Sequence, residues 1–134
     1  MATKAMRADV WLVDLGMIAK VRPCLVLSIP ADDDNDRVLT TLVPHTTSTR
    51  NSRFEVPSNV RFLKPGAFDA QNLVTIPSVK LIRRMGRLPD DQMQSVETAV
   101  LAWLGFRCMT AHRNATNADS QSRRSEMLTM ETNM

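Results

Sequence analysis

The residues best suited to chemistry fall in two short stretches. Lys20 and Arg22 precede an apolar run, and Arg22 is followed by Pro23. A proline drives the residue before it towards extended geometry, and in an extended segment side chains two apart share a face. Further along, His45-Thr46-Thr47-Ser48-Thr49-Arg50-Asn51-Ser52-Arg53 is dense in hydroxyls and cations. His45 titrates nearest neutral pH among the groups there, which suits proton transfer. It points away from Thr46 if the backbone is still extended, and towards the same groove if Pro44 has ended the strand. From Arg37 to Arg87, nine basic residues stand against the two acids Glu55 and Asp69, a local charge of +7 within a chain of net charge +3. Such an imbalance suits a polyanion, nucleic acid first among them, with a merely solubilising surface as the competing reading.

Other chemistries find little support in the residues. Cys24 sits in an apolar run and reads as a small buried hydrophobe, whereas Cys108 lies in polar sequence. Two isolated cysteines and two histidines, His45 and His112, give neither a disulfide framework nor metal-ligand spacing, so no metal and no cofactor is expected. The segment from Ala31 to Asp36 holds four aspartates but lacks the glycine and closing glutamate of a calcium loop, and reads as an exposed hairpin turn. No apolar run approaches the ~20 residues of a membrane helix. Met1 to Met6 has no apolar stretch behind Lys4 and does not read as a signal peptide. A soluble, cytoplasmic protein with no membrane partner is the expectation.

The elements that must position these residues are short. With 134 residues the chain should form one domain with a modest core, which favours a shallow site or one built at a subunit contact. Apolar, β-rich runs at Val10–Val13, Cys24–Ile29, Val38–Val43, Phe54–Val56, Leu73–Ile76 and Leu81–Leu88 predict strands, several of them stopped by prolines. Leu15 to Val21 reads as a loop. Pro89-Asp90-Asp91 predicts a helix start, with carboxylates against the positive end of the dipole. Met93, Val96, Val100, Trp103 and Leu104 then recur at helical spacing as one apolar stripe, for core or dimer packing rather than a cofactor, and Gly105 is placed to end the helix. Short strands followed by one helix predict a mainly β fold, a small barrel with a C-terminal helix packed on it. The folded domain is expected over 1–106, and 107–134, polar and poor in apolar anchors, as a disordered tail.

Taken in order, DVWLVDLG, KVRPCLVLS, VLTTLVPHTTSTRNSRFEVP and LKPGAFDAQNLVTIPSVKLIRRMGRL, followed by a terminal helix, resemble the MazF/PemK family of toxins of bacterial toxin–antitoxin pairs. The likeness runs from Arg7 to Leu104. It implies an SH3-like β-barrel of the MazF/PemK/CcdB type that works as a homodimer. It also implies a metal-independent endoribonuclease that cuts single-stranded RNA to 2′,3′-cyclic phosphate and 5′-hydroxyl ends. A cognate antitoxin protein is the implied partner, with DNA contacted only through the antitoxin complex. Two departures stand out: the loop before Arg22 lacks a Gly-rich stretch, and Val74 stands where a basic residue is common. The alternative is a non-catalytic protein of the same fold that poisons DNA gyrase or only binds an antitoxin.

The resemblance implies a role for Arg22 and Thr46 as the catalytic pair. The guanidinium of Arg22 can grip two phosphoryl oxygens, so charge stabilisation suits it better than general-base work. The Thr46 hydroxyl can donate to a phosphoryl oxygen, unless it merely satisfies a turn amide. Lys20, His45, Thr47, Arg50 and Arg53 are expected to contact RNA, the cations on flanking phosphates. Asn72 can read a base edge. Phe54, Phe62 and Phe68 read as packing rather than stacking residues, and Trp11 and Trp103 as core. Arg83, Arg84 and Arg87 either extend the RNA surface or guard a strand edge.

Overall fold

The computed structural model describes residues 4–106. The tail expected over 107–134, with Cys108 and His112, lies outside the described residues. Seven strands form one antiparallel sheet system. Strand β1 (Asp9–Asp14) pairs with β2 (Val21–Val26), from Val10 opposite Leu25 to Asp14 opposite Val21. Their connection, read from sequence as a plain loop, contains one helical turn, α1 (Gly16–Ala19). The Asp14 carboxylate accepts from the Gly16 amide at 3.0 Å, and Lys20 closes the turn with φ +54°. Strand β2 begins three residues earlier than expected and ends before Ile29, which is exposed.

Strand β3 (Leu39–Thr46) runs past Pro44, where the sequence predicts a stop. Proline lacks the N–H a ladder needs, and Pro44 stands opposite Cys24 as the last pair between β2 and β3. The strand then continues by pairing on its other edge with β5 (Ala67–Asp69), His45 opposite Phe68 and Thr46 opposite Ala67. Strand β4 (Glu55–Pro57) lies outside β5. After a 3-10 turn at Ala70–Asn72, β6 (Val74–Pro77) resumes the pairing along β3. Strand β7 (Leu81–Arg87) pairs with β1 at the far edge.

Strands β6 and β7 flank opposite edges of the order β6-β3-β2-β1-β7, yet only the 3-10 turn Ser78–Lys80 joins them. The sheet must therefore curl until its edges approach, which is the expected small barrel. Among the described residues no ladder pairs β6 with β7, so the barrel is not closed by hydrogen bonds. Strand alternation then divides the core in two. Trp11, Val13, Cys24, Val26 and Leu42 fill the inside of the curl. Val10, Leu25, Val43 and Phe68 face the other way, onto helix α2 (Asp90–Leu104) and its Met93, Val96, Ala99 and Val100. Each such fully buried side chain contributes about 1.5–3 kcal/mol of burial.

Helix α2 starts and ends where the sequence predicts, with Gly105 at φ +81° as its left-handed cap. Its stripe is narrower than expected. Trp103 and Leu104 are roughly half exposed, and Trp103 touches the edge of the Phe54 ring rather than entering the core. Trp11, Phe54 and Phe68 are buried, as expected of packing residues. Among the described residues no helix is long and apolar enough to cross a membrane.

Candidate nucleic-acid interface

The place where β2 and β3 part is the natural starting point. Their last pair is Cys24 with Pro44. Carried two residues further, the same register sets Arg22 opposite Thr46. Both have the parity of Cys24 and Leu42, so both point to the concave side of the curled sheet rather than under α2. The charge of Arg22 is felt at Cys24, where it opposes the dominant effect, burial, which pushes the thiol up to about 12. Cys24 is thus an inert core thiol, as the sequence suggested.

The Thr46 hydroxyl does have the turn role that competes with a functional one: it accepts from the Ser48 amide at 3.0 Å. As a donor it reaches only the Ser48 carbonyl at 3.5 Å, a poor bond, so its proton is available to a better acceptor. Arg22 is half-buried and Thr46 likewise, in keeping with a shallow site.

His45 lies on the opposite side of β3. Its backbone is still extended, so its ring enters the core beneath α2, edge-on to Phe68 and 4% exposed. Its Nε2 stands 2.9 Å from Ser58 Oγ, and the Ser58 hydroxyl donates to the Gly66 carbonyl at 3.3 Å. The Ser58 hydroxyl donating to the ring nitrogen fits the 2.9 Å contact equally well, so the geometry is compatible with either imidazole tautomer. Burial lowers the His45 pKa and keeps the ring neutral. Strand alternation turns the His45 ring inward, to the side of β3 away from Thr46.

Gly66 belongs to this corner for steric reasons. A Cβ there would stand 2.2 Å from the Thr46 carbonyl oxygen and 2.9 Å from the His45 ring. Neither Gly66 nor Ser58 carries a signal of this role in the sequence.

The remaining predicted contacts, Lys20, Thr47, Arg50, Arg53 and Asn72, are all exposed. Lys20 is exposed, but the strained turn takes it out of the extended segment, so the shared face with Arg22 expected from spacing is not set by strand alternation. Thr47, Arg50 and Arg53 are exposed on the loop after β3. The Arg53 guanidinium lies 4.5 Å above the Phe54 ring centre. Asn72 sits across β3 from Arg22, in the turn between β5 and β6, with one amide proton given to Asp69 at 2.7 Å. Beside Thr46 opens a cavity of about 540 Å³, with Thr47, Thr49, Asn51, Ser52 and Glu55 as its polar wall and Pro65 to Ala67 as part of its floor. Among the described residues no three His, Cys, Asp or Glu side chains converge as metal ligands would. The Asp-rich turn is self-satisfied, the Asp36 carboxylate accepting from the amides of Asp32 and Asp33.

Arginines 84 and 87 have a partner the sequence did not reveal. Asp9 is 3% exposed, and its Oδ1 lies 3.1 Å from Arg84 Nε and 3.9 Å from Arg87 Nη1.

Comparison with known proteins follows the same lines. The family model described as PemK-like, MazF-like toxin of type II toxin–antitoxin systems matches residues 6–104. Among solved structures, the Mycobacterium tuberculosis toxin MazF-mt6 is similar at 27% identity and a TM-score of 0.64, over 74% of this chain and 98% of that one. An endoribonuclease in complex with its cognate antitoxin, from a mycobacterial species, aligns at 24% identity and a TM-score of 0.66, over 77% of this chain and 97% of that one. MazF from Deinococcus radiodurans aligns at 21% identity and a TM-score of 0.66, over 78% of this chain and all of that one, 100%. The last two likenesses bear on fold alone. Curated proteins give no match to the chain.

Proposed function

The chain belongs to the PemK-like, MazF-like toxin family of type II toxin–antitoxin systems, and from that membership we propose that it is an endoribonuclease that cuts single-stranded RNA without a metal. The observation that supports this reading is the end of the β2–β3 ladder at Cys24 and Pro44, two residues from Arg22 on one strand and two from Thr46 on the other. In the proposed reaction the 2′-oxygen of RNA attacks the adjacent phosphorus, and the bond to the 5′-oxygen breaks. The 2′-proton is lost, a proton reaches the departing 5′-oxygen, and the products are a 2′,3′-cyclic phosphate and a 5′-hydroxyl. The transition state gathers negative charge on the phosphoryl oxygens. A guanidinium offers two parallel N–H donors to that charge, and Arg22 is assigned this role. Thr46 adds a neutral donor through its hydroxyl proton, while its oxygen stays anchored by the Ser48 amide.

Arg50 and Arg53, with Lys20, hold flanking phosphates in this proposal, and Thr47 and Asn72 face the sugar and bases. His45 supports the wall behind Thr46 and does not touch RNA. The protein acts in the cytoplasm as a homodimer, and a cognate antitoxin covers the cationic surface. The antitoxin-bound mycobacterial endoribonuclease of the same fold is in keeping with that partner. The test is direct. Purified protein, incubated with single-stranded RNA in EDTA, should yield fragments with cyclic-phosphate and 5′-hydroxyl ends, and Arg22→Ala should leave the RNA whole. Intact RNA with the unaltered protein, or cleavage that survives Arg22→Ala, overturns the proposal.

A further inference from the structure

The cavity beside Thr46 is built rather than incidental. Asn51, at φ +60°, turns the loop after β3 back on itself. The Glu55 carboxylate gathers that loop, accepting from the Arg50 amide at 2.9 and 3.1 Å and from the Ser52 amide at 3.2 Å. Ser52 Oγ in turn accepts from the Phe54 amide at 3.0 Å. The result is an open recess with a polar rim held by these hydrogen bonds and a lining that is more apolar than polar, as the flat face of a base requires. Its volume of about 540 Å³ falls inside the usual range for small-ligand sites, about 300–1,000 Å³.

The charge of the lining limits what can enter. Glu55 is the one ionised group on the wall, with Thr47, Thr49, Asn51 and Ser52 around it. A carboxylate repels phosphate, so the backbone of a nucleic acid stays outside, near Thr46 and the cations. A carboxylate also has about four acceptor sites, and the two backbone amides leave some of them unused. These can take a hydrogen bond only from a donor. We infer that the cavity receives one unstacked nucleobase of the RNA, and that Glu55 selects a base carrying an amino group over uracil. Cytosine and adenine offer an exocyclic N–H donor to that carboxylate. Uracil turns two carbonyl oxygens towards it, with a lone N–H between them. Recognition of a splayed base on its pairing edge is the usual way single-stranded RNA is read. Glu55 is then a specificity residue one step removed from the reacting atoms. The inference rests on the RNA-cutting reading for its ligand, but its test does not require cleavage.

The experiment measures binding of seven-nucleotide 2′-O-methyl oligocytidine, oligoadenosine and oligouridine by fluorescence anisotropy, since the blocked 2′-position prevents the reaction. The intact protein should bind oligocytidine and oligoadenosine about tenfold more tightly than oligouridine, the effect of one hydrogen bond to a charged group. Glu55→Gln, whose amide can both donate and accept, should bring the three within about twofold. Equal binding of oligocytidine and oligouridine by the unaltered protein overturns the inference, whether or not the variant folds. So does a folded Glu55→Gln protein, checked by circular dichroism, that keeps the original preference. RNA that is bound with this preference but never cut refutes the nuclease reading and leaves the cavity's role standing.

Discussion

His45 and Thr46 are neighbours on β3, yet they face different halves of the molecule. On one side the buried His45 ring, the half-buried Ser58 hydroxyl and the Gly66 carbonyl form a hydrogen-bonded chain beside Phe68. On the other side Thr46 is half-exposed, two residues beyond the last β2–β3 pair, with its oxygen accepting from the Ser48 amide. Both sides hold groups a sequence reader would call chemical, and only the period-2 alternation of a strand distinguishes them. A titratable ring on the inner side is held neutral and immobile, which serves the shape of the corner. An alcohol on the outer side keeps its proton available. The same distinction separates the arginines. Arg84 and Arg87 neutralise the buried Asp9 carboxylate, whereas Arg50 and Arg53 stand on the outer loop.

If the outer side performs chemistry and the inner side maintains form, substitutions on the two should move different measurements. Arg22→Ala gives the largest expected effect, a loss of about 100- to 1,000-fold in cleavage rate, the usual result of removing a donor from developing charge. Its melting temperature should change little. Gly66→Ala comes next and acts from the inner side. The new Cβ would meet the Thr46 carbonyl at 2.2 Å, and backbone cannot swing aside as a side chain can. A loss of about 1–3 kcal/mol in unfolding free energy is expected from such overpacking, read by urea denaturation. Thr46→Val should lower the cleavage rate about tenfold, since it removes one hydrogen bond to a charged oxygen while keeping the branched shape. Thr46→Ser should restore most of that rate. Arg22→Ala changing stability but not rate, or Gly66→Ala changing rate but not stability, would break the comparison.

How much of this was legible depended on how local each cause is. Helix α2 was readable because its signals are all nearby: Asp90 and Asp91 at the positive end, Met93, Val96 and Val100 at helical spacing, Gly105 beyond the end. Its last turn was misjudged because the spacing of Trp103 cannot reveal that the sheet stops short of it. Strand β5 escaped notice, since three residues, Ala67–Asp69, carry no measurable period. Pro44 misled because its cost depends on whether a neighbour needs its amide, and the β2–β3 ladder ends there. The partnership of Asp9 with Arg84 spans most of the folded chain and leaves no trace in spacing. Arg22 and Thr46 came from the order of segments and the family likeness, whereas the notch between them is a matter of register. Glu55 was passed over because an acid at the start of a short strand looks the same in sequence whether it is solvated or gathers the loop before it.

The smallest effect is also the sharpest test of the inner side, because it is read from the pH dependence of stability. His45 has its pKa lowered from the ordinary 6.5 by burial, so the folded protein holds the ring neutral where an unfolded chain would protonate it. Above 6.5 neither state binds the proton, and the contribution of His45 to stability is fully present. As pH falls below that value the unfolded state gains a proton the folded state refuses, and stability drops by up to about 1.4 kcal/mol per pH unit. The fall continues until the folded ring itself protonates. Carboxylates add their own acid dependence, so the quantity to follow is the difference between the unaltered protein and His45→Gln, from thermal unfolding between pH 7 and pH 5. The variant should be less stable at pH 7, and the gap should narrow on acidification because glutamine does not titrate. A gap that stays constant across that range would mean that the ring is protonated alike in both states, and hence that it faces water beside Thr46 rather than the core.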